Sequence, residues 1–253
     1  MYTKDPAKKF AGIRFPGYVS VPKPHRATGR TLQYMATFVL VHGGTMSTDT
    51  WNRLTNRNRY PPGGHLGARY WDGTAAYLAS HGHCVIAPAL PDEHTHGLAD
   101  HIEQICMLIR GRDLRNIILV GHSYGGMVIT GVASRMPKTI RRLVYVDAAL
   151  PDPGESLFDQ FAATGLNPFS FAGLEAAKAY VEELQPGSRK IRHIPRTYIL
   201  CTESEFAGVT SVAKRKIAAH PEDWTYLELP TSHVPMATMP ERFYRLMLAI
   251  ANQ

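Results

Sequence analysis

A His-Ser-Tyr triplet with a glycine on each side, Gly121 to Gly125, lies between a β-branched run and a glycine-rich helix start, and it limits the fold more than any other feature. The run Asn116-Ile117-Ile118-Leu119-Val120 reads as a buried strand, and Gly125 to Arg135 reads as a helix. A strand that turns this sharply into a helix leaves no room for side chains beside the turn. Its central residue, Ser123, is forced into a strained conformation that projects the hydroxyl. Such a unit belongs in a parallel sheet covered by helices. The rest of the chain agrees: strands are expected at Phe38–Val41, Cys84–Pro88, Leu143–Val146, Thr197–Cys201 and Thr225–Leu229, and helices at Trp71–Ser80, Leu98–Arg110 and Glu241–Ala251. The fold class is therefore α/β, with a mostly parallel central sheet flanked by helices.

With 253 residues the chain suits one such domain, expected over 36–253. The net charge of +7 is concentrated in residues 1–35, which hold seven lysines and arginines against Asp5 alone. With Pro6, Pro16, Pro22 and Pro24, that stretch reads as an extended basic arm. The remainder is nearly neutral, which argues against nucleic acid as a partner. No apolar run is long enough to span a membrane, and the first 30 residues have no apolar stretch to act as a signal peptide. Cys84, Cys106 and Cys201 lie in apolar surroundings and read as reduced core thiols of a cytoplasmic protein. Two segments interrupt the alternation: a Gly/Pro/Arg-rich connection at 45–70, and residues 151–195, expected to form a small cap.

An exposed serine on this turn is a nucleophile in waiting, and acyl transfer also needs donors for the developing oxyanion. The amide of Tyr124 is one candidate, and that of Gly44 in His42-Gly43-Gly44, at the end of the first strand, is the second. The base should follow the last strand, where Leu229-Pro230-Thr231-Ser232-His233 offers His233. The acid has two candidate positions: Asp147, at the end of the strand after the helix, or Glu203 and Glu205, after the strand Thr197–Cys201.

His42-Gly43-Gly44, Gly121-His122-Ser123-Tyr124-Gly125-Gly126-Met127 and His233-Val234-Pro235-Met236 together resemble the α/β-hydrolase superfamily. Within it they are most similar to the branch of plant methylesterases, hydroxynitrile lyases and related bacterial esterases. The likeness runs on through Leu143 to Ser156 and covers most of 36–253. It implies the α/β-hydrolase fold with a small cap and a serine esterase that works through an acyl-enzyme. Lyases of this branch resemble one another in a threonine after the first-strand histidine and a lysine after the catalytic one. Here Gly43 and Val234 stand in those places, which favours hydrolysis over cyanohydrin cleavage. Ser204 stands where the plant pattern has an aspartate, and Asp147 matches the acid position of dehalogenases in the same superfamily. The alternatives that stay open are a carbon–carbon bond hydrolase or lyase on the same triad, and a non-catalytic protein that binds a small ligand.

Gly43, His122, Trp51 and Phe158 are the candidates for contact with substrate. The 45–70 connection, with Met46, Trp51, Tyr60, Tyr70 and four arginines, is expected to form part of the substrate wall. Phe158, Phe161, Phe169 and Phe171 are expected to line an apolar pocket or hold the cap down. Asp92-Glu93-His94-Thr95-His96, with His101, is the one metal-like cluster, and it reads as a solvated loop. No metal and no cofactor are expected. The expected partner is a small ester or lactone, with neither nucleic acid nor membrane; the choice between monomer and homodimer stays open.

Overall fold

A computed structural model describes residues 19–20, 35–165, 167–170, 175–185, 191 and 193–253. Most of the basic arm and Phe171 lie outside them. The strands are β1 (Val19–Ser20), β2 (Thr37–Val41), β3 (Cys84–Ala87), β4 (Ile117–His122), β5 (Ile140–Val146), β6 (Arg196–Cys201) and β7 (Trp224–Leu229). They form one sheet in the order β1-β3-β2-β4-β5-β6-β7. β1 pairs antiparallel with β3 and every other pairing is parallel. The expected α/β architecture is the one found.

Residue alternation along the central strands builds two cores, one on each face. Val39 and Val41 of β2, Ile117 and Leu119 of β4, and Leu143 and Tyr145 of β5 share one apolar cluster. Their neighbours Phe38, Leu40, Ile118, Val120, Val144 and Val146 share the other. The first face is covered by α3 (Leu98–Gly111), α4 (Gly125–Arg135) and α7 (Ala207–Ala219), through residues such as Ile105, Val128 and Val209. The second is covered by α2 (Asp72–Ser80) and α9 (Pro240–Ala251), through Leu78, Phe243 and Met247. Each fully buried side chain of this kind contributes about 1.5–3 kcal/mol. β4, buried at every position, sits between β2 and β5 and delivers the turn at Ser123 to the middle of the sheet edge.

One of the two interrupting segments departs from expectation. The 45–70 connection is not a plain loop: it contains α1 (Thr48–Thr55), and Gly67–Trp71 forms a 3₁₀ turn. Ser47 caps α1 by accepting the amide of Thr50 at 3.1 Å, and a bridge from Ser47 to His65 closes the segment on itself. In the 151–195 segment, α5 (Leu157–Ala162) is capped by Ser156, and α6 (Lys178–Val181) lies against Glu93. α8 (Pro235–Thr238) follows His233. Cys106 and Cys201 carry free thiols, and burial pushes that of Cys106 up to about 11. Among the described residues no helix is long and apolar enough to cross a membrane.

Candidate active site

Three strand ends meet at one place. β4 leads into Ser123, whose φ of 56° lies in the left-handed region that a residue with a Cβ enters at a cost of about 1–2 kcal/mol. Its carbonyl accepts the amides of Gly126 (3.1 Å) and Ala149 (3.0 Å), which locks the turn against the start of α4. The flanking glycines are needed sterically: a Cβ at Gly125 would lie 2.7 Å from the carbonyl oxygen of Val41. β5 ends in Asp147, also left-handed at φ 43° and fully buried. β7 leads to His233 in the loop before α8.

The side chains form one line. His233 Nε2 is 2.9 Å from Ser123 Oγ, and His233 Nδ1 is 2.7 Å from Asp147 Oδ2. A carboxylate can only accept, so Nδ1 carries the proton and Nε2 presents its lone pair to the serine hydroxyl. Asp147 Oδ1 accepts the amide of Cys201 at 2.9 Å, and Oδ2 also accepts the hydroxyl of Ser204. Ser204 Oγ is itself 3.5 Å from His233 Nδ1. Glu205 serves the loop backbone, accepting the amide of His233 at 3.2 Å, while Glu203 donates its own amide to the carbonyl of Thr231 at 3.0 Å. Phe206 covers the imidazole, ring centroids 4.7 Å apart, and Phe161 of α5 packs edge-on behind it.

The turn after β2 lies directly against the serine. A Cβ at Gly43 would stand 2.6 Å from Ser123 Cβ, and one at Gly44 would overlap the hydroxyl of Tyr180 from α6. His42 is held by its neighbours, Nδ1 donating to the carbonyl of Gly43 at 2.7 Å and Nε2 accepting the amide of Leu90 at 2.8 Å. Burial lowers its pKa. Gly43 donates its amide to the hydroxyl of Tyr70, and Thr45 donates its amide (3.1 Å) and hydroxyl (2.6 Å) to Glu93. Tyr180 also donates to Glu93, at 3.2 Å. Burial acts to raise the pKa of Glu93 but is outweighed by these hydrogen bonds, which hold it below the usual carboxylate range.

Two of the four expected substrate contacts are otherwise engaged. His122 is buried with both ring nitrogens occupied: Nδ1 is 3.0 Å from the Tyr70 hydroxyl and Nε2 is 2.7 Å from the carbonyl oxygen of His233. Its place is therefore in the scaffold. Trp51 is also buried, stacked on Tyr70 at 6.4 Å between centroids with the rings 12° from parallel, and so stands behind that ring. Gly43 lies against Ser123, as stated, and Phe158 is half-buried in the cap, edge-on to Phe169. Of the four arginines in the expected substrate wall, Arg69 and Arg59 have their guanidinium carbons 4.5 and 5.5 Å from the centroid of the Tyr60 ring. Sequence reasoning passed over Tyr180, met Glu93 only within the metal-like cluster, and gave Tyr70 to the substrate wall rather than to the turn at Gly43. Only Ser204 left a signal, as a hydroxyl where an acid was expected.

In the metal-like cluster, Asp92 closes a turn on the amides of His94 (2.9 Å) and Thr95 (3.2 Å). His101 is buried with Nδ1 2.9 Å from the Tyr124 hydroxyl. Among the described residues no group of three or more His, Cys, Asp or Glu side chains is arranged to hold a metal.

The sequence model of a family described as "Alpha/beta hydrolase family" matches residues 38–246. A carbendazim hydrolyzing esterase of Nocardioides sp. (strain SG-4G) is 43% identical over 131 residues, 49% of this chain and 46% of that protein. Polyneuridine aldehyde esterase of Rauvolfia serpentina is 31% identical over 121 residues, 47% of this chain and 41% of that protein. The chain thus spans less than half the length of these two relatives. A solved extracellular alpha/beta-hydrolase from a Paenibacillus species superposes with a TM-score of 0.62 at 23% identity, over 85% of this chain and 98% of that one.

Proposed function

Because the chain belongs to the alpha/beta hydrolase family, we propose that it cleaves a carboxylic ester or lactone, with Ser123 as nucleophile, His233 as general base and Asp147 as the acid that orients the base. The observation that carries this reading is the unbroken line from Ser123 Oγ through the imidazole to Asp147, at 2.9 and 2.7 Å. In the first step Ser123 Oγ attacks the carbonyl carbon while His233 Nε2 takes the hydroxyl proton. The carbonyl π electrons move to oxygen, and the amides of Tyr124 and Gly44 bind the resulting oxyanion. With the Gly43 amide given to Tyr70 and that of Thr45 given to Glu93, Gly44 is the donor the turn offers. Collapse of the intermediate breaks the ester C–O bond, and the imidazolium returns its proton to the departing alkoxide. Water then attacks the acyl-enzyme with His233 again as base, which releases the acid and restores Ser123. The scheme requires no cofactor. Both relatives above carry esterase names, which supports ester cleavage, and the buried Val234 after His233 supplies no charge for a departing cyanide.

The test is hydrolysis of a panel of p-nitrophenyl esters, methyl aryl esters, lactones and carbendazim by wild type, Ser123→Ala and Asp147→Asn, together with fluorophosphonate labelling. The expected result is a labelled Ser123, with activity about 10⁴-fold lower in each variant. Labelled wild type with cyanide release from mandelonitrile, and no ester turnover, would replace hydrolysis by carbon–carbon cleavage. An unlabelled, inactive wild type would leave a binding protein.

A further inference from the structure

We propose that Tyr70 is a positioning residue for this site: its buried hydroxyl ties the oxyanion turn to the loop of the base through the ring of His122. The inference rests on the serine-hydrolase reading above. A carbonyl oxygen can only accept, so the 2.7 Å contact between His122 Nε2 and the carbonyl of His233 places a proton on Nε2. Burial and the neighbouring His233 hold the pKa of His122 far below the usual range, so the ring is neutral and Nδ1 is a bare acceptor. The partner of Nδ1, 3.0 Å away, is the Tyr70 hydroxyl, which therefore donates to it. Its oxygen is left to accept the amide of Gly43. Burial raises the Tyr70 pKa, so the phenol keeps the proton this assignment needs. Every donor and acceptor is used once, and only one tautomer of His122 satisfies the circuit.

The circuit joins four stretches of chain. Gly43 belongs to the turn whose next amide is assigned to the oxyanion, and His122 precedes the nucleophile. The His233 carbonyl belongs to the base, and Tyr70 arrives from the 45–70 connection. The ring of Tyr70 is fixed on both sides, by Trp51 stacked on it and by the edge of His122 at 5.4 Å between centroids. The connection that sequence reasoning gave to a substrate wall thus supplies a hydroxyl behind the site. A buried polar circuit of this kind is directional, and its geometry is set by the donors' positions.

The test uses the intact protein and two readouts. In wild type, imidazole ¹⁵N spectra should show His122 as the single Nε2–H tautomer; a Nδ1–H tautomer or a protonated ring near pH 7 would overturn the proposal. In Tyr70→Phe, which keeps the stacked ring, kcat should fall about 10–100-fold with KM within about twofold, the signature of a displaced catalytic geometry. His122 should then lose its single-tautomer spectrum. Wild-type kcat in a folded Tyr70→Phe would sink the idea. If that variant does not fold, the wild-type tautomer decides. Failure of the serine-hydrolase reading is separately visible, as a wild type that neither labels nor turns over, and the tautomer still tests the circuit in that case.

Discussion

The two segments that interrupt the regular alternation both bring a tyrosine to the same pair of glycines, yet they are built differently. From 45–71 come Trp51, Tyr60, Tyr70 and Trp71, all buried and continuous with the core under α9, where Trp71 stacks on Phe243 at 6.3 Å. From 151–185 come two short helices and Tyr180, whose hydroxyl stands over Gly44, while Phe169 and Val181 are 61% and 47% exposed. Tyr70 is locked in a closed circuit within the core. Tyr180, buried edge-on against Tyr124, donates its hydroxyl to a half-buried carboxylate, Glu93, which also holds Thr45. The first segment packs into the core on the α9 side of the sheet, and the second places Leu157, Phe161, Tyr180 and Leu184 in the core on the other side while Phe169 and Val181 stay exposed. Two insertions in one fold can therefore differ in which core they join and in how much of their surface they leave exposed.

That contrast can be broken most directly by truncation in the first segment. Trp71→Ala should cost about 3–5 kcal/mol of unfolding free energy, because a fully buried indole leaves a cavity the sheet cannot close. Urea denaturation measures it, and a loss near zero would remove the segment from the core.

The next effect belongs to acid and sharpens the cap side. His101, under Tyr124 and hence under Tyr180, has its pKa lowered by burial from 6.5 to about 4. The unfolded chain therefore binds more protons between those values. Stability is complete above pH 6.5 and declines as pH falls towards 4, by about 3 kcal/mol from this group. His101→Gln should flatten part of that decline in urea midpoints taken at pH 7 and pH 4.5, and an unchanged slope would assign it elsewhere.

Glu93→Gln should loosen the cap by about 1 kcal/mol, since a charged acceptor is replaced by a neutral one. Hydrogen exchange should then speed at Ala179 and Tyr180 and stay unchanged at Tyr70. Equal loss at both would mean that the two segments open together. The smallest effect is expected at Phe169→Ser, within about 0.5 kcal/mol, because its ring is already exposed; a larger loss would make that ring part of the interior.

Much of the fold was legible because the buried strands are short β-branched or aliphatic runs whose pattern nothing else produces, Ile117 to Val120 above all. The glycines around Ser123 carried the turn, because the backbone contacts that require them are local. α1 was hidden because Thr48–Thr55 is short and mostly polar, with Trp51 and Leu54 as its only apolar residues, too few to mark a face. α7 was hidden by a weakly segregated pattern in which Lys214, Arg215 and Lys216 interrupt the apolar face. The roles of Tyr70 and His122 were out of reach for a different reason: each is fixed by partners tens of residues away, 52 between them and 111 from His122 to His233. Residue type gave the chemistry they could perform, and only three-dimensional closure shows which part of it they use.

Ser204 carries a last consequence. The ends of β5 and β6 converge on one imidazole nitrogen, and the berth there is one carboxylate wide: Asp147 fills it, and Ser204 reaches both the acid and the ring as a neutral donor. Two anions in that space could not both stay ionised. A hydroxyl at 204 is thus the complement of the carboxylate at 147.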